Sequence, residues 1–354
     1  MLNPDYLIVG QGVAGSCFAL KLLREGFSFV IIDENKDKAS SVAVGIYNPV
    51  VLKRFSLIWN AQIQLDWMHE YFSEFGKLLG QNYIDEFPTR RIIKDENEIH
   101  AWNKKANHPD LTDFLDQEIQ PLHHPDFDTP LGYGEVKQTG RIDLGKCLND
   151  FRNHLIEMRL YENENFDHSE LIISDSEIQY KEFKAKKVVF CEGFGVTENP
   201  FFNYIPVIGV KGEVLKIKTE NQIPKAIWKA HNFLMPIDKK ICVTASTYDR
   251  DDLAPDPTEK GKEEMIQHLR SFYKGNFEIL EQTAGIRPTI IDRRPVVGTH
   301  PIHENVLILN GMGTRGTLLG PAMAEELFNF TEKKQPIDKE ADVLRFTKKY
   351  FQNV

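Results

Sequence analysis

Cysteine is scarce, with Cys17, Cys147, Cys191 and Cys242 the only four among 354 residues. No two share a CxxC spacing, so neither a zinc site nor a disulfide framework is indicated, and the four read as core thiols. Long hydrophobic runs are missing too. No stretch approaches the roughly 18 apolar residues of a membrane span, and a first strand from about Asp5 leaves no room for a removable signal, so the expected setting is the cytoplasm. Positive charge is in deficit, with 43 Lys and Arg against 52 Asp and Glu and a formal net charge of -9. That balance argues against a globally basic nucleic-acid binder. Internal repeats and low-complexity segments are absent as well.

What is present is a chain longer than one ordinary core needs, 41% hydrophobic, which predicts two lobes. Residues 6–33, YLIVGQGVAGSCFALKLLREGFSFVIID, read as a strand, a glycine turn, a helix and a second strand ending in an acid. In that context GxGxxG predicts a dinucleotide site. Gly10 makes the turn, Gly12 lets backbone approach a pyrophosphate, and Gly15 lets the helix pack on the strand. Asp33, followed by Glu34, stands at the expected spacing of about 20 residues to meet a ribose. Val13 and Ala14 open the helix, where free amides face phosphate.

Further along, a charged loop with many small residues, 34–55, implies close approach of something to its backbone. Helical periodicity is expected over roughly 57–79, 139–158 and 259–273. The segment KAKKVVFCEGFG is a strand running into glycines and returns to the first sheet. Residues 207–283 alternate in strand fashion. NVLILNGMGTRGTLLGPAMAEELFNF repeats the opening pattern of strand, glycine turn and helix, with Pro321 near the first turn of that helix. The fold class expected is α/β: a discontinuous Rossmann-like domain over 1–86, 141–206 and 284–354, and an α+β substrate domain over 87–140 and 207–283 built on a mixed or antiparallel sheet.

Four segments in order resemble the FAD-dependent D-amino acid oxidase superfamily, which includes glycine and sarcosine oxidases: VGQGVAGSCFA, ASSVAVGIYNP, GIRPTIIDRRPVVG and NGMGTRGTLLGPAMAEEL. They span nearly the whole chain, and VVFCEGFG, with Gly193, is a looser fifth. The GIYNP and GMGTRG variants are most similar to the flavin domain of the bacterial enzyme that trims carboxymethyl from modified tRNA wobble uridine, although the companion methyltransferase domain is absent here. The resemblance implies FAD. No cysteine stands just upstream of the last glycine segment, where the sarcosine oxidase flavin is attached, so noncovalent binding is implied. It also implies that Ser40, Ser41 and Gly45 pass between pyrophosphate and ring, with one serine on phosphate and the other a cap. Ile46 and Tyr47 then lie near the flavin, Tyr47 either as an active-site wall or as packing between lobes. Arg287 matches the arginine that holds a substrate carboxylate; its alternative is an ion pair between lobes, near Asp292, Arg293 and Arg294. Tyr248 falls in the region that directs a polar group at substrate, or is a strand-end aromatic.

The chemistry of amine oxidation asks for positive charge beside the reduced ring. The turn of Gly311, Gly313, Thr314, Arg315, Gly316, Thr317 and Leu318 offers amides at a helix start, with Arg315 adding a full charge or capping a loop. The leading expectation is an FAD-dependent oxidase or dehydrogenase that acts on a carboxylate-bearing primary or secondary amine. Its alternatives are the tRNA reaction, for which Lys53, Arg54, Arg90 and Arg91 are the candidate basic rim, and a nonenzymatic flavin or NAD redox sensor. The acceptor, whether oxygen, quinone or carrier, has no motif.

Overall fold

The apolar run Tyr6–Val9 is buried on both faces, as a central parallel strand must be. The structure, a computed structural model, describes residues 3–36 and 39–351. Tyr6–Val9 sits within a six-stranded sheet in the order Tyr161–Glu162, Phe29–Ile32, Tyr6–Val9, Lys187–Phe190, Val306–Asn310, Val296–Thr299. Its pairings are parallel except that of the last strand, which returns antiparallel. The chain therefore leaves the first sheet after Phe29–Ile32 and re-enters it three times, at Tyr161–Glu162, Lys187–Phe190 and Val296–Thr299. Parallel neighbours end on the same edge, so the turns after Tyr6–Val9, Lys187–Phe190 and Val306–Asn310 all open on one crevice.

Two helices follow those turns, Val13–Glu25 and Gly316–Lys333, and they pack together through glycines. A Cβ on Gly316 or Gly320 would come within 3.0 Å of the Val13 side chain, so bulkier residues there would push the helices apart. Lys21 and Glu325 form a buried ion pair across the same contact at 2.8 Å. Ala61–Leu79 packs onto the last helix, and the Tyr71 hydroxyl donates to Glu325 Oε2 at 3.0 Å. This helix starts later than its periodicity suggests because Ser56–Leu57 is spent on a short hairpin strand. The other two expected helices are Leu144–Glu157 and Glu259–Arg270. Pro321 lies beyond the first turn of its helix, so the carbonyl one turn earlier forgoes its usual amide donor.

The second large sheet has eight strands, ordered Phe277–Ile290, Val207–Thr219, Ile241–Ala245, Phe233–Pro236, Ile227–Lys229, Thr89–Ile92, Tyr133–Val136, Leu115–Gln120. It is mixed, since Ile227–Lys229 runs parallel to Thr89–Ile92 while the other pairings are antiparallel. One face packs on Met265, Leu269, Phe272 and Trp228; the other carries Val214, Ile227, Phe233 and Val243 toward the crevice. A three-stranded antiparallel sheet of Ile46–Tyr47, Gly140–Ile142 and Ile84–Glu86 lies in the connections between the two large sheets. Among the described residues, no helix is long and apolar enough to cross a membrane.

Candidate active site

The crevice is a cavity of about 1510 Å³, walled by both large sheets. That exceeds the roughly 300–1,000 Å³ of a site for one drug-sized ligand, so a large cofactor and a second molecule fit together. One end is built by the first glycine turn. Gly10 has φ +99°, and a Cβ there would lie 2.6 Å from the Cys191 carbonyl, so only glycine holds this turn against the neighbouring strand. Gly15 sits against the Gly10 carbonyl, where a Cβ would be 2.0 Å away. It shapes the turn from behind and is not on the wall. Gly12, Val13 and Ala14 are on it. The Val13 amide donates to Ser40 Oγ at 3.2 Å, placing a hydroxyl oxygen where a helix start would otherwise offer its amide to phosphate.

Asp33 lines the same end, and its carboxylate accepts from the Gln11 amide at 2.6 Å, the Asn35 amide at 2.8 Å and the Tyr161 hydroxyl at 3.3 Å. Those bonds brace the glycine turn. Glu34, Ser40, Ser41, Gly45 and Gly193 also line the cavity. Residues that the sequence reading passed over join them: Glu192, held by His168 Nε2 at 2.9 Å and by the donating Asn199 Nδ2 at 2.6 Å, and Asn310, whose amide donates to the Gly193 carbonyl at 2.9 Å.

The second glycine turn forms the middle of the wall with Gly313, Thr314, Arg315, Gly316, Thr317 and Leu318. Gly311 lies just behind, packed on Ile290. The amides of Gly313, Arg315 and Leu318 are spent on the carbonyls of Pro288, Met312 and Arg315, so the donors this segment presents, with the positive end of the macrodipole, come from Thr314, Gly316 and Thr317. Burial pulls the Arg315 guanidinium below its ordinary pKa, with Arg294 and Arg293 acting in the same direction.

Arg287 faces these turns from the second sheet. It pairs with Val210 in register, and its side chain leans over Gly212, two residues beyond Val210 on the partner strand. Nη2 donates to Ser246 Oγ at 2.7 Å and Nη1 to the Thr247 carbonyl at 3.3 Å. A Cβ on Gly212 would lie 1.8 Å from Nη2. Glycine thus clears the shelf on which the guanidinium rests. Burial lowers the pKa of Arg287, and no carboxylate among the described residues pairs with it. Its expected alternative, an interlobe ion pair, is therefore not what is observed: Arg294 pairs with Glu340, and Asp292 with Arg345. Gly212 carried a readable signal, because an isolated glycine inside a strand pattern marks close approach.

The two tyrosines differ in place. Ile46 lines the cavity, but Tyr47, the next residue of an extended strand, points away and is 1% exposed, edge-on to His69 and tight against Gly140. Tyr47 is packing, not wall. Tyr248 is 52% exposed, lies beneath Arg250 and falls outside the cavity lining, yet it stands close enough to Arg287 to oppose the effect of burial on that guanidinium. Of the candidate basic rim, Arg91 is buried and paired with Glu98 at 2.7 Å, and Arg90 pairs with Glu135 while stacking on Tyr133 and Trp228. Both are spent inside the fold, leaving the exposed Lys53 and Arg54.

Comparison with known proteins agrees with this geometry. The model of a family described as FAD dependent oxidoreductase, DAO, matches residues 5–329. The chain belongs to that family. It is accordingly an oxidoreductase that uses FAD, which sets aside the reading as a nonenzymatic sensor. The YurR oxidoreductase of Bacillus subtilis is 20% identical, over 94% of this chain and 95% of its own. The bifunctional protein MnmC of Shewanella loihica, named for tRNA 5-methylaminomethyl-2-thiouridine biosynthesis, is 22% identical over 90% of this chain, which spans only 55% of MnmC. The crystal structure of glycine oxidase from Geobacillus kaustophilus superposes with a TM-score of 0.78 at 18% identity, covering 96% of this chain and 97% of the other. The residues present fit FAD: two glycine-turn helix starts open on one cavity, acids stand at one end, and an arginine stands at the middle of the wall.

Proposed function

We propose that the cavity holds FAD noncovalently and oxidises the carbon–nitrogen bond of an amine bearing a carboxylate, such as glycine, a D-amino acid or an N-substituted glycine. The observation that carries this reading is Arg287: a half-buried guanidinium in the cavity without a carboxylate partner, fixed by Ser246 and Thr247 on the second sheet. A cation drawn partly out of water without a counter-ion favours any anion that comes to it. A carboxylate is the natural partner, because a planar guanidinium grips it through two parallel hydrogen bonds and so fixes the α-carbon.

FAD, when bound, supplies the hydride acceptor. The glycine turns and Asp33 or Glu34 would hold its phosphates and ribose. Arg287 orients the substrate. The apolar floor of Val214, Ile227, Phe233 and Val243 excludes water around the reacting carbon. Positive potential from Arg287 and Arg315 favours the neutral amine over its ammonium form, so the nitrogen lone pair is available to form the imine as the carbon gives up hydride. Arg315 and the amides beside it stabilise the negative charge that develops during transfer. The substrate wall is drawn from Thr89 and from the second-sheet strands within 207–290, which include Arg287. A second reading, the same bond cleavage on a carboxymethylaminomethyl group of tRNA, is favoured by the likeness to MnmC along most of this chain.

Anaerobic stopped-flow mixing of the yellow protein with a panel of amino acids and N-alkyl glycines tests the reading, with carboxymethylaminomethyl-modified tRNA alongside. Flavin bleaching by carboxylate amines supports it. Bleaching by tRNA alone selects the second reading, and bleaching by neither rejects both.

A further inference from the structure

The floor of the cavity has a second pole. Lys229, Phe233, Ala245 and Val214 form one cross-strand row, and Val214 is two residues from Gly212, under the Arg287 guanidinium. Lys229 is therefore separated from Arg287 by an apolar strip within one cavity. Three strand spacings and two residues of rise put the ends roughly 16 Å apart at the backbone, and inward-reaching side chains shorten that to on the order of 10 Å.

Two observations mark this pole as a place for a ligand. Lys229 Nζ donates to the His231 carbonyl at 2.7 Å and has no carboxylate partner among the described residues. Its near neighbours Arg91 and Lys94 are themselves cationic. Beside it, Thr89 pairs with Ile227 in register, lines the same cavity and is 1% exposed, yet its Oγ1 has no hydrogen-bond partner. Buried hydroxyls are seldom left so. An unpaired cation and an orphaned hydroxyl on adjacent strands are the two groups that would close on an anionic oxygen.

We propose that Lys229 and Thr89 form a second anion subsite, which receives an acidic group at the tip of an apolar N-substituent while Arg287 holds the carboxylate next to the oxidised carbon. The substrate class is then an elongated secondary amine with acidic groups at both ends. This rests on the amine-oxidase reading above and narrows it, since glycine cannot span the two poles.

Calorimetric titration of the FAD-loaded protein with unreactive straight-chain acids tests it without turnover. The probes are α,ω-dicarboxylates from malonate to azelate, monocarboxylates of matching length, and ω-phosphonocarboxylates. The long dicarboxylates should bind on the order of tenfold tighter than monocarboxylates of the same length, and the short ones should show no such advantage. Lys229→Met should close that gap, and Thr89→Val should narrow it, in variants whose retained flavin absorbance marks an intact fold. A phosphonate tip that outbinds the carboxylate assigns the subsite to phosphorylated amines, and the reverse order assigns it to dicarboxylic ones. The proposal is overturned if neither tip gains over a methyl terminus, or if Lys229→Met keeps the gap. Failure of the amine reading looks different: no acid of any length then binds.

Discussion

A methyl group placed on Gly212 is the most discriminating perturbation of the proposed site, because it leaves every charge intact. The new Cβ would fall 1.8 Å from Arg287 Nη2, 2.1 Å from Cζ and 2.3 Å from Nη1, all at the far end of a flexible side chain. The backbone can stay while the guanidinium moves, so Gly212→Ala should fold and keep its flavin. The displaced fork no longer meets a carboxylate squarely. Two charge-assisted hydrogen bonds are worth about 1.5–3 kcal/mol each, so removing both with Arg287→Ala should cost about 3–6 kcal/mol, a loss of ~10²–10⁴ in kcat/KM. A misplacement of about 1 Å is itself able to cost ~10²-fold. Gly212→Ala should therefore lose ~10²-fold in kcat/KM for flavin reduction by glycine or sarcosine, measured by anaerobic stopped-flow. An uncharged amine that the protein oxidises should be nearly unaffected. Parent-like kinetics in Gly212→Ala, or an equal loss with the uncharged amine, would refute the assignment of Arg287; loss of flavin from Arg287→Ala would make that residue structural.

Other outcomes follow from the same structure. Lys21 is held by two carboxylates at 2.8 Å, the buried Glu325 and the more exposed Glu25, so Glu325→Leu leaves the ammonium on Glu25 alone and the Tyr71 hydroxyl without its acceptor, and should cost about 1–3 kcal/mol in urea unfolding, whereas the double change Lys21→Met with Glu325→Leu should recover part of it. Burial pushes all four thiols up, Cys242 to about 12, so the native protein should not react with a thiol reagent at neutral pH and should release four equivalents only on unfolding. Lys229 is drawn down to about 8 by burial, with Arg91 and Lys94 adding to it; Glu98 neutralises Arg91, and His231 and His268 stack close by. Because the folded lysine is cationic only below that value, the dicarboxylate advantage in calorimetry should be present at about pH 7 and gone by about pH 9.5. Stability of the unliganded protein should move the other way, gaining as pH rises from about 8 toward 10.5, where the unfolded chain binds the extra proton.

Much of this was legible before any coordinates. The strand, turn and helix of residues 6–33 could be read because glycine at positive φ and an apolar parallel strand are local requirements, as was the repeat of the pattern at Val306–Asn310 and Gly316–Lys333. Arg287 was readable only through family resemblance. The two readings of Tyr47 could not be separated in the sequence; the pairing of its short strand decides for packing, since faces alternate and Ile46 lines the cavity.

The amino-acid order alone determined the nucleotide turns and the family, which rest on short-range spacing and on residue types that tolerate few backbone conformations, while it left the second sheet mixed or antiparallel. Tertiary structure decided what the cavity recognises. Ser246 and Thr247 reach Arg287 from 41 and 40 residues away in sequence, and Thr89 meets Ile227 only because two distant strands pair in one register. A shift of a single residue in that register would turn these side chains to the opposite face, and nothing in the local sequence specifies it.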